Sequence, residues 1–345
     1  MTRIPVTVFT GFLGSGKTTL LNRLLRDPAA ANTAVIVNEF GEIGLDHELI
    51  EKSDDSVVLL TNGCLCCTVR SDLVGTLRDL YFRRGKGDMP RFDRVVIETT
   101  GLADPSAVLD ILLGDPVVQS RYALDGVVTV VDMVNAAASL DGHTETAKQV
   151  ALADRIVLTK LDLLGADDSH LPELRARLRA LNPSAQVLDG AAAAADLLVD
   201  SIEAGPADGE RIRRWLGDEA FCQEAEGRPR HRHQPEIETF SIVRQAAIPQ
   251  QSLGLMLRAL SDNLGPNLLR VKGLLNIAEE PERPALLQAA QTMLHDVVWL
   301  DRWPSADRRS RLVFITLGAG RQVVDEIMEI VDKMGANAMR RVGTS

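Results

Sequence analysis

From residue 5 to about 190 the chain alternates between short apolar runs and amphipathic stretches. The runs are VTVFT (6–10), TAVIVN (33–38), VVLL (57–60), RVVIET (94–99), GVVTVV (126–131) and RIVLTK (155–160). They are rich in Val and Ile and apolar at successive positions, so both faces expect burial, as in a parallel sheet covered by helices. Between them, KTTLLNRLLRD and HLPELRARLRAL space their leucines as a helix with one apolar face does. Repeated βαβ units follow from that alternation.

The pattern changes over residues 201–235, where EAGPADGE and EGRPRHRHQPE concentrate Gly, Pro and charge and predict a connection between domains. Just before it, AAAAADLLVD predicts a helix, since Ala is the best helix former. From 236 onward IETFSIVRQ alternates like a half-exposed strand, QQSLGLMLRALSDNL is helical, and LLRVKGLLNI, HDVVWLDRW and RSRLVFITLG read as strands before the helix RQVVDEIMEIVDKM. The expected organisation is an α/β domain over 1–200, a connector over 201–235, and a smaller α+β domain with a mostly antiparallel sheet over 236–345.

Composition narrows the class. The 345 residues are 45% hydrophobic and 25% charged, the proportions of a soluble globular protein. No apolar run is long enough to span a bilayer, and MTRIPVTVFTGF has no secretory h-region, so a cytoplasmic protein with no membrane partner is expected. The net charge of −10 argues against nucleic acid as a partner. Of four cysteines, Cys64, Cys66 and Cys67 fall within four positions. Such a cluster is no disulfide framework and reads as metal-binding or redox-active.

GFLGSGKT, Gly11 to Thr18, fits G-x-x-x-x-G-K-[ST] between a predicted strand and a predicted helix. Gly11, Gly14 and Gly16, with Ser15 between them, let the backbone wrap a phosphate with its N–H groups inward. Lys17 would reach the β- and γ-phosphates and the Thr18 hydroxyl would ligate Mg²⁺. A nucleoside triphosphate is the expected ligand. RVVIETTGLADP then ends a buried strand in Glu98, which would hold Mg²⁺ directly or through water, and Gly101 could offer its N–H to the γ-phosphate. After RIVL, Thr159-Lys160-Leu161-Asp162 fits guanine: the Asp162 carboxylate accepts its two adjacent donors, and the Lys160 stem lies across the ring. Thr159 stands where such motifs usually carry Asn, and its shorter side chain is expected to orient the loop less firmly.

The cysteines sit in TNGCLCCTVRSDL, where Asn62 and Gly63 supply a turn. Thiolates suit Zn²⁺ and, less strongly, Co²⁺. No distant second pair of cysteines is present to close a structural zinc site, so an exchangeable site is expected, with Glu39, Glu42, Asp46 and His47 of NEFGEIGLDHELI as further donors. Redox thiols and inert buried cysteines are the competing readings.

GFLGSGKTTLLN, NEFGEIGLD, TNGCLCCTVRSDL, ETTGLADP, LDGVVTVVD and TKLD together resemble, in order, the CobW-type metallochaperone GTPases. LLRVKGLL and RLVFITLG resemble strands of that family's C-terminal domain. The resemblance implies a P-loop GTPase domain that binds GTP and Mg²⁺ and delivers Zn²⁺ or Co²⁺ to client metalloproteins. It implies that Thr19 joins Gly14, Gly16, Lys17 and Thr18 around phosphate and Mg²⁺, that Lys160 and Asp162 hold guanine, and that Glu39 is the acidic partner of Cys64, Cys66 and Cys67. The LDGVVTVVD strand is expected to be core with little bearing on chemistry, and His143, His170 and His295 to be ordinary surface residues. Lone Cys222, near Phe221 and Trp215, reads as packing. His231 and His233 of RPRHRHQ are too few for a metal reservoir. Hydrolysis is expected to be slow, with Arg70 the candidate arginine finger by spacing. Self-association is left open. A P-loop kinase or ATP-dependent ligase with structural thiolates, and a nucleotide-regulated redox or scaffold protein, are the rival classes.

Overall fold

The computed structural model describes residues 3–38, 57–62, 69–164, 170–192, 194–198, 212, 237–290, 293–294, 297–318 and 320–342. The chain separates into two compact units, Met1–Leu178 with Ala185–Pro206, and Arg179–Ser184 with Ala207–Ser345.

The first unit is built on seven strands: β1 (Ile4–Thr10), β2 (Thr33–Asn38), β3 (Val57–Asn62), β4 (Arg94–Thr99), β5 (Tyr122–Asp132), β6 (Arg155–Thr159) and β7 (Gln186–Asp189). Their order across the sheet is β3-β2-β4-β1-β5-β6-β7, and every pairing is parallel. Helices fill the crossovers among the described residues, as parallel strands require. The helix Lys17–Leu25 buries Leu20, Leu21, Leu24 and Leu25 in a core with Phe9, Val35, Val96, Val128 and Val157. Those residues are the apolar positions of the predicted strands. β7 was not among the predicted strands. Its four residues are only partly buried and carry no run of β-branched residues to announce them.

The second unit holds β8 (Ile237–Arg244), β9 (Leu268–Leu275), β10 (Ala285–Ala290), β11 (Met293–Leu294), β12 (Val298–Trp299) and β13 (Ser310–Leu317). The order is β11-β10-β9-β13-β8, with β12 also on β10, and the ladders are antiparallel. The helices Gln250–Leu264 and Gly320–Val342 bring Leu253, Met256, Leu260 and Leu264, and Val324, Ile327, Met328 and Val331, into a core with Phe240, Val271, Leu287, Leu312 and Phe314. Phe240 and Phe314 face each other in register on β8 and β13, their rings stacked with centroids 5.3 Å apart. Propensity hides β10: ALLQAA is made of helix formers, and pairing to β9 and β12 overrides that preference. No helix among the described residues is long and apolar enough to cross a membrane.

Phe314 is fully buried at the centre of this second core. Phe314→Ala should lower stability by about 3–5 kcal/mol through lost burial and the cavity left behind. Urea unfolding followed by circular dichroism checks this, and a loss under about 1 kcal/mol would refute the packing described.

Candidate functional site

Because the seven strands are parallel, their C-terminal ends share one edge, and the strand order reverses around β1 between β4 and β5. Ligands of open α/β sheets bind at such a switch point. The P-loop leaves β1 there. Gly11, Gly14 and Gly16 have φ of 143°, 70° and 89°, conformations that favour glycine. At Gly11 a Cβ would also lie 2.3 Å from the Val130 carbonyl oxygen of β5, so the turn closes only without a side chain. Lys17 is buried, and its Nζ donates to the carbonyls of Gly11 at 2.8 Å and Phe12 at 3.1 Å. The loop thus curls around the cation that a triphosphate would engage. Thr19 and Gly14 are exposed.

β4 brings the acidic partner. Thr18 donates its hydroxyl to Glu98 Oε1 at 2.8 Å, and Glu98 is only 6% exposed. The buried Thr100 hydroxyl, two residues on, has no hydrogen-bond partner among the described residues. Hydroxyl and carboxylate oxygens are the hard donors that suit a Mg²⁺-type cation, completed by water and phosphate. Gly101 packs against the P-loop: a Cβ there would sit 2.5 Å from the Leu13 nitrogen. The turn after Glu98 therefore lies directly on the cradle.

β6 ends in the candidate guanine motif. Thr159 donates its hydroxyl to the Ser15 carbonyl at 2.7 Å and approaches the Val131 carbonyl at 3.3 Å. Its short side chain ties the motif to the P-loop. Lys160 adopts the left-handed conformation, φ 58°, and its Nζ reaches Asp132 Oδ2 at 2.7 Å. Asp162 is exposed in the turn Leu161–Leu163.

Two residues passed over in the sequence belong to this edge. Asp132, read as core, ends β5 and accepts from Lys160, from Asn135 Nδ2 at 2.7 Å and from the Val134 N–H at 3.0 Å. Burial pushes its carboxyl up, but those hydrogen bonds and the lysine charge outweigh it and hold the group below the ordinary carboxylate range. An acid ending an apolar strand one sheet position from the guanine motif was the available signal. His143 is exposed, as its reading as a surface residue expects, and its ring lies tilted against Phe12 of the P-loop with centroids 4.4 Å apart.

Cys64, Cys66, Cys67, Glu39, Glu42, Asp46 and His47 lie outside the described residues, as do Cys222, His231, His233 and His295. Arg70 is the second residue of the helix Val69–Lys86. Among the described residues no group of three or more His, Cys, Asp or Glu could hold a metal. What is described is where the segments depart. β2 and β3 pair in register to their last residues, Asn38 opposite Asn62. The chain therefore leaves for Glu39 and for Gly63 from adjacent strand ends, about 5 Å apart. Asn38 is also level with Thr99 of β4.

Residues 5–189 match the family described as CobW/HypB/UreG, nucleotide-binding domain, and residues 237–330 match the cobalamin synthesis protein CobW C-terminal domain. The chain is 34% identical to the zinc chaperone YjiA of Escherichia coli K12 over 322 residues, covering 91% of this chain and 94% of that one. It is 30% identical to the zinc chaperone CobW of a Sinorhizobium species, covering 91% and 93%. Among solved structures it resembles the Zn(II)-bound YjiA GTPase from E. coli with a TM-score of 0.69 at 27% identity, covering 96% of this chain and 99% of that one.

Asp132 yields a pH prediction. A carboxyl whose folded value is lowered contributes stability that is complete above its ordinary value of 3.8 and is lost as pH falls through the lower folded value. Asp132→Asn should therefore be less stable than the parent at neutral pH, with the gap closing below the ordinary value. Urea midpoints at a series of pH values check this; a gap that widens on acidification would contradict it.

Proposed function

The chain belongs to the CobW/HypB/UreG family of nucleotide-binding proteins, and from that premise we propose that it is a GTP-hydrolysing metallochaperone that carries Zn²⁺ to client metalloproteins. Co²⁺ is the second cargo its thiolates would accept. In this reading residues 1–200 form the GTPase module, 201–235 connect, and 236–345 face the client. The zinc-chaperone names of relatives matched along nine-tenths of this chain support the reading. The observation that carries it is the β2–β3 register: the acidic segment and the cysteine segment start from neighbouring strand ends, level with the strand that bears Glu98.

The chemistry follows from this chain's own groups. Gly11 to Gly16 cradle the phosphates, and Lys17 exchanges its carbonyl partners for phosphate oxygens. Thr18 and Glu98 are the residues that would hold Mg²⁺, which when bound supplies charge neutralisation at the β- and γ-phosphates. Gly101 offers its backbone toward the γ-phosphate, so the turn it opens senses hydrolysis. Asp162 accepts from guanine while the Lys160–Asp132 pair fixes the loop from below. Cys64, Cys66 and Cys67 bind the cargo with Glu39 as the hard partner and Glu42 as a further donor. Loss of the γ-phosphate frees the turn and weakens that set.

Three measurements test this. Asp162→Asn should weaken GTP binding roughly ten- to a hundredfold, the effect of removing a charged bidentate acceptor, with ATP binding unchanged. Equal losses for both nucleotides would refute the base assignment. The double substitution Cys66→Ser with Cys67→Ser should abolish tight Zn²⁺ binding in a chelator competition and leave GTP affinity intact; unchanged zinc stoichiometry would remove the thiolates from the site. In the parent protein, zinc affinity should rise with a GTP analogue and fall with GDP. Identical affinity in both states and in apo protein would make the cysteines a separate structural site and favour the kinase or scaffold classes.

A further inference from the structure

The helix Thr144–Leu152 reaches both loops of the nucleotide site. At its start His143 lies against Phe12. Further along, Lys148 Nζ donates to Asp104 Oδ2 at 3.1 Å. The next residue, Gln149, donates its side-chain amide to the carbonyls of Gly101 at 3.2 Å and Ala103 at 3.1 Å. The backbone carbonyl of Gln149 in turn accepts the Thr129 hydroxyl of β5 at 2.7 Å. Two consecutive side chains of one helix thus grip the turn after Glu98.

The Gln149 amide nitrogen is committed to that turn, whereas its Oε1 has no hydrogen-bond partner among the described residues. The Ser15 hydroxyl of the P-loop and the Thr146 hydroxyl, one helical turn before Gln149, are in the same condition. These residues are only 0%, 1% and 5% exposed, for Gln149, Ser15 and Thr146. All three line one cavity of about 20 Å³, bounded also by Phe12, Thr129 and Asn135. Native interiors rarely leave buried polar atoms unmatched, and three around one space mark a ligand position. The space is about right for one water, which can donate to Oε1 and exchange hydrogen bonds with both hydroxyls. A metal cation would want six or more oxygens at short range, and the orphaned side chains offer three.

We propose that this cavity binds one ordered water bridging Ser15, Thr146 and Gln149, and that Gln149 is a positioning residue that sets the Gly101–Ala103 turn against the P-loop. Movement of the cradle at Ser15 reaches the turn through the water and the Gln149 amide, in addition to the direct Leu13–Gly101 contact.

A crystal structure of the full chain, at a resolution that places solvent, should show one peak within about 3.2 Å of all three oxygens. An empty cavity, or a peak that Rb⁺ replaces with an anomalous signal, would overturn the water. Hydrogen exchange at the amides of Gly101, Leu102 and Ala103 should quicken roughly tenfold in Gln149→Met and less in Thr146→Val, which keeps its shape and removes only the hydroxyl. Exchange at the parent rate in both variants would overturn the positioning role. The turnover arm rests on the GTPase reading: kcat for GTP should drop roughly five- to tenfold in Gln149→Met with KM nearly unchanged, and Gln149→Glu, which keeps the acceptor and loses the donor, should not restore it. A matching rise in KM instead would assign Gln149 to nucleotide binding and overturn the proposal. Absence of GTP turnover in the parent would defeat the functional reading alone, since solvent density and amide exchange judge the water without it.

Discussion

Everything at the site depends on one constraint: the seven strands of the first unit all run the same way, so each must finish at the same edge. β1 releases the phosphate cradle there, β4 delivers Glu98, β5 delivers Asp132, and β6 delivers Thr159 and Lys160. Reversing any of these strands would carry its terminal side chain to the opposite edge, about 20 Å away for six residues. Parallel pairing also forces long crossovers, and among the described residues helices such as Lys17–Leu25 fill them and bring their leucines to the core. The same arrangement that builds the hydrophobic interior therefore collects the polar chemistry.

Gathering polar ends at one edge leaves them partly buried, and they answer by pairing from strand end to strand end along that edge. Thr99 donates to Thr10 at 2.9 Å, joining β4 to β1. Thr18 meets Glu98, Thr159 meets the Ser15 carbonyl, and Lys160 meets Asp132. These contacts tie β1 and its loop to β4 beside it and to β6 beyond β5, and tie β6 to β5. A ligand that pulls Lys17 or Thr18 toward phosphate consequently disturbs partners on β4 and β6, because the loops share hydrogen bonds instead of standing alone. The helix Thr144–Leu152 adds a brace from outside the sheet, through Lys148 and Gln149.

Six of the seven strands in the first unit were legible because buried parallel strands must be apolar at every position. β7 was not, being short and half-exposed. In the second unit β10 was hidden by alanines whose local preference is helical, and only its pairing with β9, β11 and β12 makes it extended. The P-loop and its glycines were legible because their positive φ favours glycine and, at Gly11, the close approach to Val130 leaves no room for a side chain. Asp132 and Gln149 were not. Their roles come from which strands and helices the fold sets side by side, and neither residue type carries a motif of its own. Thr159 was legible as a departure, yet its consequence depended on how near the Ser15 carbonyl would come.

Placing a soft-metal segment beside a hard-cation nucleotide site has a thermodynamic consequence on the proposed reading. Carboxylate, hydroxyl and phosphate oxygens prefer Mg²⁺, and thiolates prefer Zn²⁺, so the two ions sort themselves without competing for one set of donors. On that reading the sites would be joined by the backbone of β2 and β3, whose ends are level with each other and, through β2, with the end of β4. Coupling between such sites is reciprocal: any factor by which GTP tightens zinc binding is the factor by which zinc tightens GTP binding. A loaded cargo site thus retains the triphosphate, and an emptied one loosens it. Direction then comes from hydrolysis, which removes the γ-phosphate that the Gly101 turn would sense and breaks the reciprocity that equilibrium binding imposes. A slow hydrolytic step suits this arrangement, because the loaded state must outlive the search for a client.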